Sequence, residues 1–195
     1  MSFTVAIVGR PNVGKSTLFN RLIGEKKSII DDISGVTRDR IYGECEWNGK
    51  KFNVIDTGGF VPTSKDIFEK PIREHGLLAI EESSLLLFVV DATTGITNLD
   101  DDFARILRKN QKNVFLVVNK VDNNARMNEA NEFYSLGLEN IFFIASMTGS
   151  GTGELLDALV ERIPEIEPEV IEENIPKICI IGQPNVGKSS LVNTL

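Results

Sequence analysis

The chain has 195 residues, with 21 Lys and Arg against 28 Asp and Glu, a net charge of −7, and hydrophobic and charged fractions of 42% and 25%. These are the proportions of an ordinary soluble globule, with room for one well-packed domain and something left over. No apolar run approaches the roughly 20 residues that span a bilayer. No signal-peptide pattern opens the chain, and the acidic balance argues against a nucleic-acid-binding face, so neither membrane nor direct nucleic-acid binding is expected.

Residues 3–8 read as a short strand, and 15–22 have helical spacing with Leu18, Phe19 and Leu22 on one side. Residues 41–47 and 51–55 flank Asn48-Gly49, a two-residue hairpin signal. The nearly continuous apolar runs 85–90, 114–118 and 141–144 read as central strands buried on both faces. Helical candidates lie at 67–82, 99–109, 128–136 and 153–162. Strands alternating with helices predict an α/β domain with a mostly parallel sheet, one antiparallel edge strand from the hairpin, and helices on both faces. Cys45 and Cys179 cannot make a disulfide framework and read as buried thiols, which suits a reducing, cytoplasmic compartment.

Pro164 closes this pattern, and an acidic stretch follows. The expected organisation is a domain over 1–164, a linker over 165–175 and the truncated start of a second domain over 176–195. The last part rests on an internal repeat: residues 5–22 and 178–195 are identical at eleven of eighteen positions.

Four motifs carry the chemistry. Gly9, Arg10, Pro11, Asn12, Val13, Gly14, Lys15 and Ser16 spell G-x-x-x-x-G-K-S between a strand and a helix, the context that makes it a phosphate loop. Its backbone N–H groups cradle phosphates and the following helix adds positive potential, with Thr17 in the first turn. Lys15 is expected to reach the β- and γ-phosphates and Ser16 to bind Mg²⁺. The second copy, Gly182–Ser189, makes a chance glycine-rich turn untenable for the first. Asn119-Lys120-Val121-Asp122 ends the strand over 114–118. There the Asp122 carboxylate can accept from both N1–H and the exocyclic amine of guanine, a donor pair that adenine lacks. Asp56-Thr57-Gly58-Gly59 follows the hairpin's second strand. Asp56 suits a Mg²⁺-site acid, and the Gly59 N–H can sense a γ-phosphate. Thr37, between the first helix and the hairpin, is the expected switch residue that binds Mg²⁺ only with GTP present. Lys15, Thr37 and Gly59 are thus the candidate catalytic groups.

The motifs together predict a P-loop NTPase fold of the Ras-like GTPase kind and resemble the translation-factor-related GTPases. Gly-x-Pro-Asn-Val-Gly-Lys-Ser, present twice, with Asp-Thr-Gly-Gly-Phe, resembles the EngA (Der) tandem-GTPase family. The resemblance covers the first GTPase domain, the linker and the opening of the second. It implies a role in assembling the large ribosomal subunit, through parts not present in these 195 residues. Two departures stand out. Phe60 occupies the position where Ras-like proteins carry a water-positioning glutamine, which gives some weight to a nucleotide-gated binding module with negligible turnover as the alternative to a GTP-hydrolysing enzyme. Asn12 resembles the asparagine by which related members bind K⁺ beside the phosphates, where a cation replaces the charge of an arginine finger. The other departure is Ala145-Ser146, in place of the family's Ser-Ala or Ser-Gly. The backbone N–H of Ser146 or Met147 is expected to meet guanine O6. An ATPase is disfavoured by Asp122. His75 reads as a surface or packing residue, and Asp31-Asp32 and Asp100-Asp101-Asp102 as solvated turns or helix caps.

Overall fold

The computed structural model describes residues 3–24, 41–57, 83–109 and 113–164, with only the backbone for Asn124, Ala125 and Glu129. The chain divides into two units, Met1–Ile163 and Pro164–Leu195, and the described residues belong to the first except for Pro164. The expected helix over 67–82, His75, Asp31-Asp32, Cys179, the linker over 165–175 and the second phosphate-loop motif lie outside the described residues.

Six strands form one sheet: β1 (Thr4–Val8), β2 (Ile41–Trp47), β3 (Lys50–Asp56), β4 (Leu85–Asp91), β5 (Val114–Asn119) and β6 (Asn140–Phe143). Their order is β2-β3-β1-β4-β5-β6. Only β2–β3 is antiparallel, joined through Asn48 (φ 48°) and Gly49 (φ 76°), the double positive-φ turn the sequence signals. The helices are α1 (Lys15–Ile23), α2 (Asn98–Lys109), α3 (Asn124–Glu129), continued by a 3₁₀ stretch Ala130–Leu136, and α4 (Thr152–Glu161).

Period-two alternation sorts the central strands into two cores. Val5, Ile7, Leu85, Leu87, Val89, Phe115 and Val117 meet Leu18, Phe19 and Leu22 of α1 and Leu155 and Leu159 of α4. Ala6, Val8, Leu86, Phe88, Val90, Leu116 and Val118 meet Phe103, Ala104 and Leu107 of α2 and Phe133 and Leu136 of the 3₁₀ stretch. Burial on both faces is why β4 and β5 read as unbroken apolar runs. The α/β architecture, the antiparallel edge strand and helices on both faces are as expected.

Two elements differ from expectation. The run 141–144 is not a central strand: among the described residues β6 ends the sheet, bonded to β5 alone, and its four residues are half-buried. Its apolar residues are explained by cover from both sides, with Phe142 against Phe115 (ring centroids 5.0 Å) and Phe143 against Tyr134 (5.9 Å). The helix expected over 128–136 begins earlier, at Asn124. Asn123 caps it by accepting from Arg126 N (2.9 Å), in a polar turn without an apolar period to reveal it. The second half tightens into the 3₁₀ stretch. Trp47 packs beside the core and donates Nε1–H to Asp157 on α4 (2.7 Å). Cys45 is buried, as expected, and donates its Sγ–H to the Leu22 carbonyl oxygen (3.0 Å).

β3, β1, β4, β5 and β6 all run the same way, so Asp56, Gly9, Asp91, Asn119 and Ile144 follow or close their carboxyl ends on one rim. The chain lays strands on opposite sides of β1, the arrangement that opens a crevice at such a rim.

Candidate functional site

The loop after β1 is shaped by glycines where a side chain will not fit. Gly9 (φ 146°) lies against the Val89 carbonyl oxygen, and Gly14 (φ 95°) against the Asn119 side-chain amide; a Cβ at either position would collide. Asn12 also takes a positive φ (66°), an uncommon state for a residue with a side chain. Gly14 is the N-cap of α1 and provides no side-chain acceptor, so the first-turn N–H groups remain open to an anion. Lys15 is buried and donates Nζ–H to the Arg10 carbonyl oxygen (2.9 Å). Burial pulls its pKa below the ordinary lysine value, the Asp56 carboxylate works against this, and Arg10 adds to it. An anionic ligand beside Lys15 would favour its charged form. Ser16 and Thr17 are exposed at the start of α1. Asp56 is buried at the end of β3, paired in register with Ile7. Thr57 turns its hydroxyl back to donate to the Ile7 carbonyl (2.7 Å).

The loop after β5 is joined to the phosphate loop directly. Asn119 Nδ2 donates to Val13 O (2.8 Å), while its Oδ1 accepts from Ser146 N (3.0 Å). Lys120, itself at positive φ (68°), donates Nζ–H to Asn12 O (3.2 Å) and pairs with Asp91 (2.6 Å). One asparagine thus ties together three loops that the sequence places more than a hundred residues apart at the widest. Asp122 is half-exposed; Asn123 Nδ2 (3.0 Å) and Arg126 (2.7 Å) donate to its carboxylate and hold it. Val121 is buried below it and donates its N–H to Ile144 O (2.9 Å). Ser146 N is committed to Asn119, and Met147 follows it at the exposed tip of the loop.

Several braces were not legible in the sequence. The Arg10 side chain turns to Asp100 on α2 (3.2 Å) and to Thr94. Of the two readings given to these aspartates, solvated turn or helix cap, Asp100 takes the cap and is buried and paired with Arg10, whereas Asp101 and Asp102 face solvent beside Arg105. Asp91 accepts from Thr93 N (2.9 Å) and Oγ1 (2.7 Å) as well as from Lys120. Arg21 of α1 donates to the carbonyls of Ser146 (3.0 Å) and Met147. Thr17, Asn20, Arg21, Gly24, Ser146 and Met147 line a cavity of about 430 Å³ between α1 and the loop after β6. Thr37, Gly58, Gly59 and Phe60 lie outside the described residues.

Among the described residues no group of three or more His, Cys, Asp or Glu stands ready to hold a metal. The buried Asp56 carboxylate and the Ser16 hydroxyl are a hard-oxygen pair near the loop. That suits Mg²⁺, which uses few protein ligands and takes the rest from phosphate and water.

A family model described as "50S ribosome-binding GTPase" matches residues 4–120 and 177–195, more than half of the chain. The chain belongs to this GTPase family. The GTPase Der of Christiangramia forsetii is 57% identical over 195 residues, all of this chain and 45% of its own length. The chain therefore spans less than half the length of that relative. Among solved structures, a point variant of Aquifex aeolicus Era bound to GDP·AlF₄⁻ superposes with a TM-score of 0.68 at 32% identity, covering 92% of this chain and 63% of Era. Era in complex with MgGDPNP and nucleotides 1506–1542 of 16S ribosomal RNA superposes at 0.66 and 32%, covering 90% and 63%. The Ras-like fold and the EngA (Der) resemblance are borne out, and the guanine nucleotide is the ligand of this GTPase family.

Proposed function

We propose that the chain binds guanine nucleotide along the rim from Gly9 to Met147 and hydrolyses GTP to GDP and phosphate. On this reading it is the first of two GTPase units in a longer cytoplasmic protein that acts on the large ribosomal subunit. The observation that carries the site is the direct joining of the two loops: Asn119 to Val13 and Lys120 to Asn12 put the guanine-reading Asp122 and the phosphate loop in one frame. Binding begins with the loop N–H groups and Lys15, whose ammonium leaves the Arg10 carbonyl for the β- and γ-phosphate oxygens. Asp122 accepts from the guanine N1–H and amine, and the Met147 N–H turns to O6. Ser16 and Asp56, with Thr37, would hold Mg²⁺, which supplies charge neutralisation to the phosphates when bound. Gly59 would mark the γ-phosphate. The relatives support this: the Era structures contain GDP·AlF₄⁻ and MgGDPNP.

K⁺ at Asn12 stays a proposal from the loop pattern; the exposed position of Asn12 leaves its side chain accessible. The deciding measurement is phosphate release in single turnover with Mg²⁺, comparing K⁺ with Na⁺. Faster release in K⁺, abolished in Asn12→Asp, is the expected result. Equal rates would end the K⁺ reading. No release in either salt would leave the nucleotide-gated module, the reading to which Phe60 gives weight.

A further inference from the structure

Arg10 belongs to the phosphate-loop motif, yet its side chain is engaged by residues at and before the start of α2. Its Nε donates to Asp100 Oδ2 (3.2 Å), ninety residues further on, and its terminal nitrogen donates to Thr94. Asp100 is 1% exposed. The same Oδ2 also accepts from Thr97 N (3.0 Å) and Thr97 Oγ1 (2.7 Å), while Asp100 N is 3.4 Å from Thr97 Oγ1: a reciprocal box that opens α2. Its Oδ1 has no hydrogen-bond partner among the described residues. A buried carboxylate satisfied on one oxygen only depends on its cation to offset desolvation. Capping α2 needs only an acceptor at this position, which a neutral asparagine would supply, so the cap does not account for a buried charge. Arg10 does. The Arg10 backbone carbonyl in turn receives Lys15 Nζ (2.9 Å).

We propose that Asp100 is a positioning residue of the nucleotide site: through Arg10 it fixes the phosphate loop and the resting place of Lys15 before any ligand arrives. It thereby sets phosphate affinity from outside the site. This rests on the guanine-nucleotide reading above. Fixing the loop beforehand removes an ordering cost from binding, so loosening it weakens binding with no contact to the ligand lost.

The test is a double-mutant cycle on GDP affinity in the whole chain, using Asp100→Asn, which keeps the helix cap, Arg10→Ala, which leaves the box untouched, and both together. Melting temperature is followed in parallel. If Asp100 acts through Arg10, each single variant binds GDP about tenfold more weakly and the double variant no worse than either. Arg10→Lys, which keeps the charge, recovers part of the loss. GDP affinity unchanged in both single variants overturns the proposal, even if the melting temperature falls, since that is the signature of a helix cap alone. Losses that multiply in the double variant overturn it too, because the two residues then act separately. Absence of GDP binding by the unaltered chain would instead overturn the nucleotide reading, and this proposal with it.

Discussion

Asp122 and Asp91 are both carboxylates beside a basic partner, and their surroundings give them different work. Asp122 is half-exposed, and its ties to Arg126 and Asn123 leave lone pairs on each oxygen for a ligand. Asp122→Asn reverses the donor–acceptor match with guanine. GDP affinity is expected to fall by about a hundredfold or more, with xanthine nucleotides bound instead; competition titrations with GDP and XDP measure this, and unchanged GDP affinity would refute the base assignment. Asp91 is 3% exposed. Burial pushes its pKa up, but the hydrogen bonds from Lys120 and Thr93 outweigh that and hold it below the ordinary carboxylate range. A carboxyl with a lower pKa folded than unfolded stabilises the fold fully above about pH 4 and loses that contribution as pH falls through the folded value. Asp91→Asn is therefore expected to cost about 1–3 kcal/mol at pH 7, with the gap to the unaltered chain closing below about pH 4. Urea unfolding at both pH values checks it.

The elements differ in how openly their residues declare them. β4 and β5 are legible because burial on both faces leaves no polar position in the run. The hairpin is legible because only Asn-Gly type pairs take two positive φ angles with little strain. α3 is not, because its start is fixed by the Asn123 side chain and not by an apolar stripe. Asn123→Ala is expected to cost about 1 kcal/mol through loss of that cap, seen as a lower urea midpoint with unchanged slope. An unchanged midpoint would mean that the 3₁₀ stretch, with Phe133 and Leu136 in the core, holds the segment alone. α4 is anchored at its end by Lys50, which donates to the carbonyls of Val160 (3.1 Å) and Ile163 (3.3 Å), so the hairpin and the last helix of the first unit are tied together.

At the scale of the unit Met1–Ile163, the sheet is both the core and the frame of the site. Phe115 shows how the two are linked. It lies on β5, four residues before Asn119; it packs into the core with α1 and α4, meets Phe142 at a tilt, and lies under Arg162 (5.7 Å from ring centroid to Cζ). Phe115→Ala is expected to cost about 3–5 kcal/mol, measured by thermal unfolding. Nucleotide binding to the fraction still folded should persist, since no loop contact is removed. Loss of binding by a folded variant would show that β5 positions the Asn119–Asp122 loop less rigidly than its packing indicates.

The Gly9–Ser16 and Asn119–Asp122 motifs, the hairpin, the repeat and the α/β alternation were all determined by sequence alone. Each is set by short-range physics: a positive φ that glycine tolerates, a period of two or of 3.6, a fixed spacing of donors. The tertiary structure decided what no local rule contains. It put β6 at the end of the sheet among the described residues, a placement that depends on pairing between distant strands. It committed Ser146 N to Asn119 and left Met147 at the tip. It buried Asp100, one of three consecutive aspartates, against an arginine ninety residues away. Such pairings depend on the register and order of distant strands, and nothing in the residues on either side of Asp100 announces the partner.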